Sequence, residues 1–527
     1  MKILISDPLS EEGIKILKEQ KDFQVDIKTG MKPEELKAII KDYDALIVRS
    51  ATKVTKDIID AATNLKAIGR AGVGLDNVDL EAATKRGIMV MNTPGGNTIS
   101  TAEHAMSLIM AVSRSIPQAN QSTKAGEWKR SKFMGYELYN KTLGIVGLGR
   151  IGKEVAKRAI SFGMHIIAFD PFLSLEIAKQ VGAEVVDFKE LLTRADYITI
   201  HTPLSDETKS LIAEKEFAMM KKTAYIINCA RGGIVNEAAL AKALEEGKIA
   251  GCALDVYEKE PPEGTPLLKY PNCIMTPHLG ASTEEAQVNV AIEIAEVVRD
   301  ALTGKGIRNA ANFPSIEASV YKILAPYIAL TEKIGLLASQ LVEGRINQAD
   351  ITYCGILAQQ QNTQPLTMGF VKGLLTPIVQ DAVNFINAID LARERGIKVQ
   401  ESKSSTEEEF VNLVSVDLVT DKEKLQISGT LFSNNQPRIV KINDFYVEAI
   451  PQGYMLVAHN QDKPGIIGVL GTILGKNNIN IAGMTFGRET AGGKAITVVN
   501  IDSPVPPSVL AEIKKAQHIL DVKLIKL

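Results

Sequence analysis

Six histidines stand in the chain, few enough to weigh each as a general base. His104 falls inside a long helical pattern, His165 precedes an internal strand, His518 lies in an amphipathic terminal helix, and His459 lies far along the chain. Those four read as structural. His201 follows the strand Tyr197–Ile200 and precedes Thr202-Pro203, a position that lines a cleft. His278, in T-P-H-L-G-A, follows the apolar run Cys273–Met275 and stands between a proline and a glycine-containing loop. A polar ring there is exposed for use, and imidazole titrates where proton transfer near neutral pH requires it. Arg231, in N-C-A-R-G-G, follows another strand. Its planar guanidinium can clamp a carboxylate with two hydrogen bonds and polarise an adjacent carbonyl. A carboxylate to orient the imidazole is available in D-V-Y-E-K-E-P-P, where Glu258 and Glu260 are equal candidates by spacing.

These residues need a scaffold, and its centre is Leu143 to Gly152, L-G-I-V-G-L-G-R-I-G. An apolar, β-branched run enters a turn of three glycines, which opens into a helical pattern over Lys153 to Phe162. In a dinucleotide-binding unit Gly147 allows the tight turn, Gly149 admits a pyrophosphate close to the backbone, and Gly152 lets helix and strand pack. The helix N-terminus then offers free N–H groups to the phosphates. The next strand, Ile166 to Phe169, ends in Asp170, where a carboxylate accepts from a ribose hydroxyl. Pro171 and Phe172 follow, with no arginine for a 2′-phosphate, which favours NAD over NADP. A nucleotide site without a P-loop or a carboxylate cluster for Mg²⁺ points to redox chemistry, which needs the base and anion clamp above. No metal site is expected.

Residues 1 to about 93 alternate strands (Ile3–Ser6, Val25–Ile27, Ala45–Val48, Leu65–Ile68, Ile88–Met91) with helical patterns such as Lys32–Asp42 and Lys56–Ala62. That rhythm predicts a parallel α/β sheet. Ligands bind outside the carboxyl ends of such strands, so Arg49 and Gly72 to Gly74 are candidates to grip an anionic substrate. Residues 98 to 125 read as one long helix, with Ser100 or Thr101 as a cap, that crosses to the nucleotide unit. Trp128-Lys129-Arg130-Ser131-Lys132 reads either as a solvated loop or as an arm toward a partner subunit or its substrate. Later nucleotide-unit strands are expected at 196–200, 224–228 and 250–254.

A helix over Glu284 to Ala301 is expected to return to the first unit, followed by a linker through Pro314. Residues 318 to 450 mix helices and strands without a chemical motif, and Glu401 to Glu409 reads as a loop. Met455 to Leu527 reads strand, helix, strand, strand, helix, strand, the ferredoxin-like pattern, and Pro464 is placed to start its first helix. A chain of 527 residues exceeds one core. Its 45% hydrophobic and 23% charged content is that of a soluble globular protein. A net charge of −2 argues against nucleic acid or an anionic membrane as partner. No eighteen-residue apolar run or signal peptide is evident. The four cysteines are widely spaced, without metal or redox pairing by spacing. A cytoplasmic location follows as the expectation.

G-L-G-R-I-G, N-C-A-R-G-G, L-D-V-Y-E-K-E-P-P and T-P-H-L-G-A-S-T, in that order, resemble the D-isomer-specific 2-hydroxyacid dehydrogenases. V-R-S-A-T-K-V-T, G-R-A-G-V-G-L-D-N-V-D and the chain length resemble members acting on 3-phosphoglycerate, in the long form with an intervening and an ACT domain. The resemblance implies two Rossmann-like doubly wound parallel-sheet domains, then an α+β domain and a ferredoxin-like βαββαβ domain. Expected boundaries are 1–97 with 283–310 (substrate-binding), 98–282 (NAD-binding), 318–450 (intervening) and 453–527 (ACT). It implies that Arg231 binds the substrate carboxylate and that Glu260, the acid before the proline pair, orients His278. Arg150, Ile151, Asp170, Thr202, Cys229 and Ala230, Asp255, and Leu279, Gly280 and Ala281 match cofactor-contacting positions, as does Val73. Arg49, Ser50 and Gly74 would line the substrate side, with Arg130 or Lys132 as further phosphate contacts. In related ACT domains L-serine is held between two subunits. The matching positions are Asn460, Asp462 and Asn480, with His459 one place out of register. The implied reaction is oxidation of 3-phosphoglycerate to 3-phosphohydroxypyruvate by NAD in serine biosynthesis, in a homodimer or homotetramer. The alternatives are a glyoxylate or hydroxypyruvate reductase, or a non-catalytic NAD-sensing scaffold.

Overall fold

In the computed structural model, every residue is described except 174, 317, 380–382 and 405–409. Four sheets organise the chain. The first is five-stranded and parallel throughout, ordered Gln24–Ile27, Lys2–Ile5, Ala45–Val48, Ala67–Arg70, Met89–Met91. The helix Glu284–Leu302 covers this sheet, with Val290, Ile294, Val297 and Val298 against Ile3, Ile5 and Ile47. Apolar residues at helical spacing on one side of Glu284–Leu302 thus carry the chain back after the second unit.

The second sheet has seven parallel strands ordered Cys273–Met275, Gly251–Leu254, Tyr225–Asn228, Tyr197–Ile200, Thr142–Val146, His165–Phe169, Ala183–Val185. Its order reverses between Thr142–Val146 and Tyr197–Ile200, the crevice where doubly wound sheets take their ligands. The strands are buried on both faces, which explains their unbroken apolar runs. Cys252 and Cys273, far apart in sequence, are register partners on adjacent strands, and both thiols are free.

The expected long helix over 98–125 is two helices, Thr98–Arg114 and Ile116–Lys124. Ser115 between them is left-handed (φ 49°), and Pro117 opens the second helix, where its missing N–H costs nothing. Asn97, not Ser100 or Thr101, stands at the N-cap.

The third sheet is mixed: Lys398–Ser404 pairs parallel with Ile346–Cys354, and four further strands continue antiparallel. The expected loop over Glu401 to Glu409 is corrected in its first part, since Glu401–Ser404 lie in that strand; 405–409 lie outside the described residues. The fourth sheet, ordered Ile481–Arg488, Lys494–Ile501, Tyr454–Gln461, Ile519–Lys526, is antiparallel and carries two helices, the βαββαβ pattern. Alternation along Tyr454–Gln461 divides its side chains. Leu456 and Ala458 pack under the helices, whereas Met455 and Val457 share a core with Leu330 and Ile334 of the preceding unit. Period-two alternation therefore buries this sheet on both faces.

Candidate active site

The glycine turn has the geometry its spacing implies. Gly147 is left-handed (φ 92°), and a Cβ there would lie 2.7 Å from the His201 carbonyl oxygen. Gly149 is the N-cap of the helix Arg150–Ser161, and a Cβ on it would meet nothing within 4 Å. A ligand can therefore come close to the backbone at Gly149, where the first N–H groups of that helix have no intrahelical partner. At the same edge Thr202 Oγ1 and His201 Nδ1 are buried without partners, and burial pushes the His201 imidazole down to about 4, so it stays neutral. Asp170 accepts from the Leu148 N–H and the Phe172 N–H, each at 3.0 Å. Those bonds aim its carboxylate, and each oxygen keeps a lone pair for a hydroxyl. Open backbone donors, unpaired polar atoms and an aimed carboxylate fit a dinucleotide. Arg150 and Ile151 begin the helix, and Ile151 also packs on the unit's core.

His278 is left-handed (φ 56°), held by its N–H donating to the Asp255 carbonyl at 3.0 Å. Its Nδ1 lies 2.9 Å from Glu260 Oε2, and its ring is half-exposed. Glu260 is itself fixed, because Oε1 accepts from the Tyr257 N–H at 3.2 Å. The choice that spacing left open has a structural answer. Glu258 turns away and accepts from the Glu237 N–H at 3.0 Å, at the start of another helix.

Asp255 lies beneath the loop, fully buried. One oxygen accepts from the Leu279 N–H (2.7 Å) and Thr276 Oγ1 (2.6 Å), the other from the Gly280 N–H (2.8 Å). His104 Nε2 stands 3.1 Å away. Burial alone would raise this carboxyl, but the donors from His104, Thr276 and Leu279 outweigh it and hold it below the usual range. The matched cofactor position is thus engaged by the loop that carries His278, Leu279, Gly280 and Ala281. A depressed carboxyl stabilises the fold above its ordinary range and loses that contribution as pH falls through the folded-state value. We expect wild type to lose thermal stability on acidification through that window, and Asp255→Asn to be flatter. Above it the variant should be less stable by about 1–3 kcal/mol, one N–H being left facing an amide. Melting curves across acid pH check both.

Arg231 enters the cleft because Asn228 bends the chain: its Oδ1 accepts from the Ala230 N–H (3.0 Å) and its Nδ2 donates to the Arg231 carbonyl (2.9 Å). A Cβ on Gly232 would overlap the Tyr257 carbonyl, so only glycine lets this turn rest on the Tyr257–Glu260 segment. Cys229, buried beside it, is a packing thiol that burial and Asp255 keep protonated. Arg231 Nε donates to Asp76 Oδ2 of the first unit at 3.2 Å, and Nη1 to the Ala230 carbonyl at 2.7 Å. An ion pair thus crosses the cleft between the two units.

Arg70, which spacing alone does not single out, joins Arg231 and Arg49 there. It is the last residue of the strand Ala67–Arg70, which runs two residues beyond the expected end, and its guanidinium lies against Gly72. Burial, with Arg231 and Arg49 nearby, lowers it to about 10. The Nε atoms of Arg49 and Arg70 are both buried without partners. Arg49 is anchored through its N–H to Asp7 (2.6 Å), and burial also lowers its guanidinium. Three converging guanidinium groups face two carboxylates, Asp7 and Asp76, leaving positive charge for an anion. Ser50 is exposed beside Arg49, and Val73 and Gly74 lie on the loop toward Arg231. Within one chain Lys132 is placed away from this cleft. Lys132 lines a cavity with Tyr225, Ala250 and Asn272, at the amino ends of the second sheet's strands. Arg130 and Lys132 lie in the short helix Arg130–Phe133, whose sequence held the same charges without indicating the side.

Within one chain the helix Ile466–Lys476 stands between Asn480 and the neighbouring pair Asn460 and Asp462. Asn460 is buried, accepting from Thr497 Oγ1 at 2.9 Å and donating to the Gln461 carbonyl at 3.0 Å. Asp462 accepts from Arg488 (2.9 Å) and the Gly492 N–H (3.0 Å), before the helix Ile466–Lys476. Asn480, beyond the other end of that helix, donates to Asp502 at 2.6 Å. His459 points to the opposite face, toward Phe445 of the preceding unit, which accounts for its register.

A doubly wound dinucleotide-type sheet facing a second α/β unit, with an imidazole–carboxylate pair and an arginine on the shared cleft, defines a two-unit hydroxy-acid dehydrogenase. Residues 106–280 match the model of the D-isomer specific 2-hydroxyacid dehydrogenase NAD binding domain. Residues 323–443 match the D-3-phosphoglycerate dehydrogenase intervening domain, and 454–518 match the ACT domain. The chain is 47% identical over the full length of both chains to a D-3-phosphoglycerate dehydrogenase of Archaeoglobus fulgidus. It is 44% identical to that of Bacillus subtilis, covering 100% of this chain and 99% of the relative. Among solved structures, D-lactate dehydrogenase from Aquifex aeolicus complexed with NAD and lactic acid is similar (TM-score 0.54, 28% identity), covering 60% of this chain and 100% of that one. The chain belongs to the D-3-phosphoglycerate dehydrogenase family.

Proposed function

We propose that this protein oxidises 3-phosphoglycerate to 3-phosphohydroxypyruvate with NAD⁺, the first step of L-serine biosynthesis, in the cytoplasm. The observation that carries this reading is the convergence of Arg49, Arg70 and Arg231, the last on a turn that rests on the Tyr257–Glu260 segment whose Glu260 holds His278. A substrate with a carboxylate and a phosphate supplies the charge that such a cradle needs. Glu260 against Nδ1 favours the tautomer that leaves Nε2 with its lone pair toward the cleft. Nε2 takes the C2 hydroxyl proton, and the Glu260 carboxylate stabilises the imidazolium that results. Arg231 holds the carboxylate and draws electron density from the forming carbonyl, while Arg49 and Arg70 hold the phosphate. NAD⁺, when bound, supplies the two-electron acceptor for the C2 hydrogen. The N–H groups after Gly149 would hold its pyrophosphate, Asp170 its ribose, and the Thr202 hydroxyl and the Ala281 segment its nicotinamide side.

The test is NADH formation by the purified chain on 3-phosphoglycerate, with reduction of glyoxylate and hydroxypyruvate measured beside it. Preference for glyoxylate or hydroxypyruvate would favour the reductase reading, and no turnover at all the scaffold reading. The ACT match supports amino-acid feedback, and L-serine is the ligand we infer. Asp462 and Asn480 flank opposite ends of one helix, so a shared site would need two copies of the chain. We expect L-serine titration to lower activity, and Asn480→Ala to weaken that response without changing activity in its absence.

A further inference from the structure

A cavity of about 500 Å³ lies where the first unit meets the intervening unit. It opens at the amino ends of the strands Ala67–Arg70 and Met89–Met91, away from the catalytic cleft. Phe313 and Ile316 of the linker and Tyr321, Phe385 and Ile386 of the intervening unit line its apolar side.

The two units are fastened beside it by polar contacts. Asn384 Nδ2 donates to the Gly87 carbonyl (3.1 Å) and Asn387 Nδ2 to the Lys85 carbonyl (3.2 Å). Asn312 Nδ2 donates to the Ile88 carbonyl at 2.8 Å. The Asn387 contact serves the last carbonyl of the helix Leu80–Lys85, which a helix terminus leaves free, and the Asn384 contact serves the turn that follows it. These contacts tie the two units together at the rim of the cavity. Packed interiors keep few voids larger than a water molecule. Small-molecule sites, by contrast, favour domain junctions, volumes of several hundred Å³ and walls of apolar and aromatic side chains with a few polar groups. At the rim, Lys66 is paired with Asp44 at 2.8 Å. Arg86 beside it is exposed and makes no side-chain hydrogen bond or ion pair among the described residues.

We propose that this cavity is a second small-molecule site, taking an amphipathic organic anion: an aromatic or branched aliphatic carboxylate. Its apolar part lies among Phe313, Tyr321 and Phe385, and its carboxylate meets Arg86. Neither the nucleotide nor the phosphorylated substrate matches this lining.

The probe is 3-phenylpropanoate, titrated calorimetrically into the full chain saturated with NADH and 3-phosphoglycerate, so that the catalytic cleft is filled. One molecule should bind per chain. Arg86→Gln should weaken binding about tenfold or more, the loss of one charge-assisted contact. The neutral 3-phenylpropanamide should bind wild type and Arg86→Gln alike. Ile316→Trp, which fills the cavity, should abolish binding; if it does not fold, Arg86→Gln and the neutral probe decide. No binding at millimolar concentration, or binding that Arg86→Gln leaves unchanged, overturns the proposal. The readout is binding rather than turnover, so its failure is distinct from failure of the proposed reaction.

Discussion

Replacing His278 with alanine is expected to lower kcat on 3-phosphoglycerate by about 10²–10⁴-fold, the range that a positioned general base supplies. NADH should still bind, because the glycine turn and Asp170 do not depend on the imidazole. The ring meets Glu260 through Nδ1, which leaves Nε2 as the atom that takes the proton. His201, the nearest alternative by chain position, is half-buried with its Nδ1 out of solvent, and its Nε2 lies 2.9 Å from Thr199 Oγ1. Alanine at a left-handed position adds strain, and His278→Asn separates the two effects, since asparagine tolerates positive φ while lacking the base. Both variants should fail in turnover and retain NADH fluorescence titrations near wild type. Turnover near wild type in either one would remove His278 from the mechanism.

Arg231→Gln is expected to cost roughly 10²–10³-fold in kcat/KM, the scale of removing one partner of a hydrogen-bonded charge pair. The loss should appear in both KM and kcat. The guanidinium binds the ground-state carboxylate and also stabilises charge developing at C2. Arg231→Lys should recover only part of it, because an ammonium lacks the planar fork. The variant also breaks the contact with Asp76 across the cleft, which an NADH titration should not register. Steady-state kinetics over a wide range of 3-phosphoglycerate concentration separates the parameters. An unchanged KM in Arg231→Gln would contradict the carboxylate assignment.

What was readable in advance divides along a physical line. The turn from Leu143 to Gly152 was legible because each glycine answers a local demand of backbone geometry, and a short motif contains all of them. The parallel sheets were legible because strands buried on both faces leave continuous apolar runs. Choices made by distant contacts were not. Glu258 and Glu260 differ only in that Glu237 captures one of them. Arg70 was hidden because Gly69 interrupts the apolar run, so the strand seemed to end before the arginine it delivers; a cation directly after such a run was the available signal. The break at Ser115 had Pro117 as its sign, yet the apolar stripe across it read as continuous. His459 looked like a shifted effector residue because which face of a strand meets which neighbour is set by a unit more than a hundred residues long. Lys132 carries charge, but charge does not say at which end of a sheet a loop of one chain will lie.

The central claim is that the cleft recognises a phosphorylated hydroxy acid through Arg49 and Arg70 as well as through Arg231. Steady-state NADH formation by the full chain on 3-phosphoglycerate and on D-glycerate tests it most directly, with Arg70→Gln measured alongside. Wild type should prefer the phosphorylated substrate by roughly 10²-fold or more in kcat/KM, the scale of charge-assisted contacts to one phosphate, and Arg70→Gln should erode that preference while leaving D-glycerate nearly unaffected. Equal use of the two substrates by wild type would contradict the account.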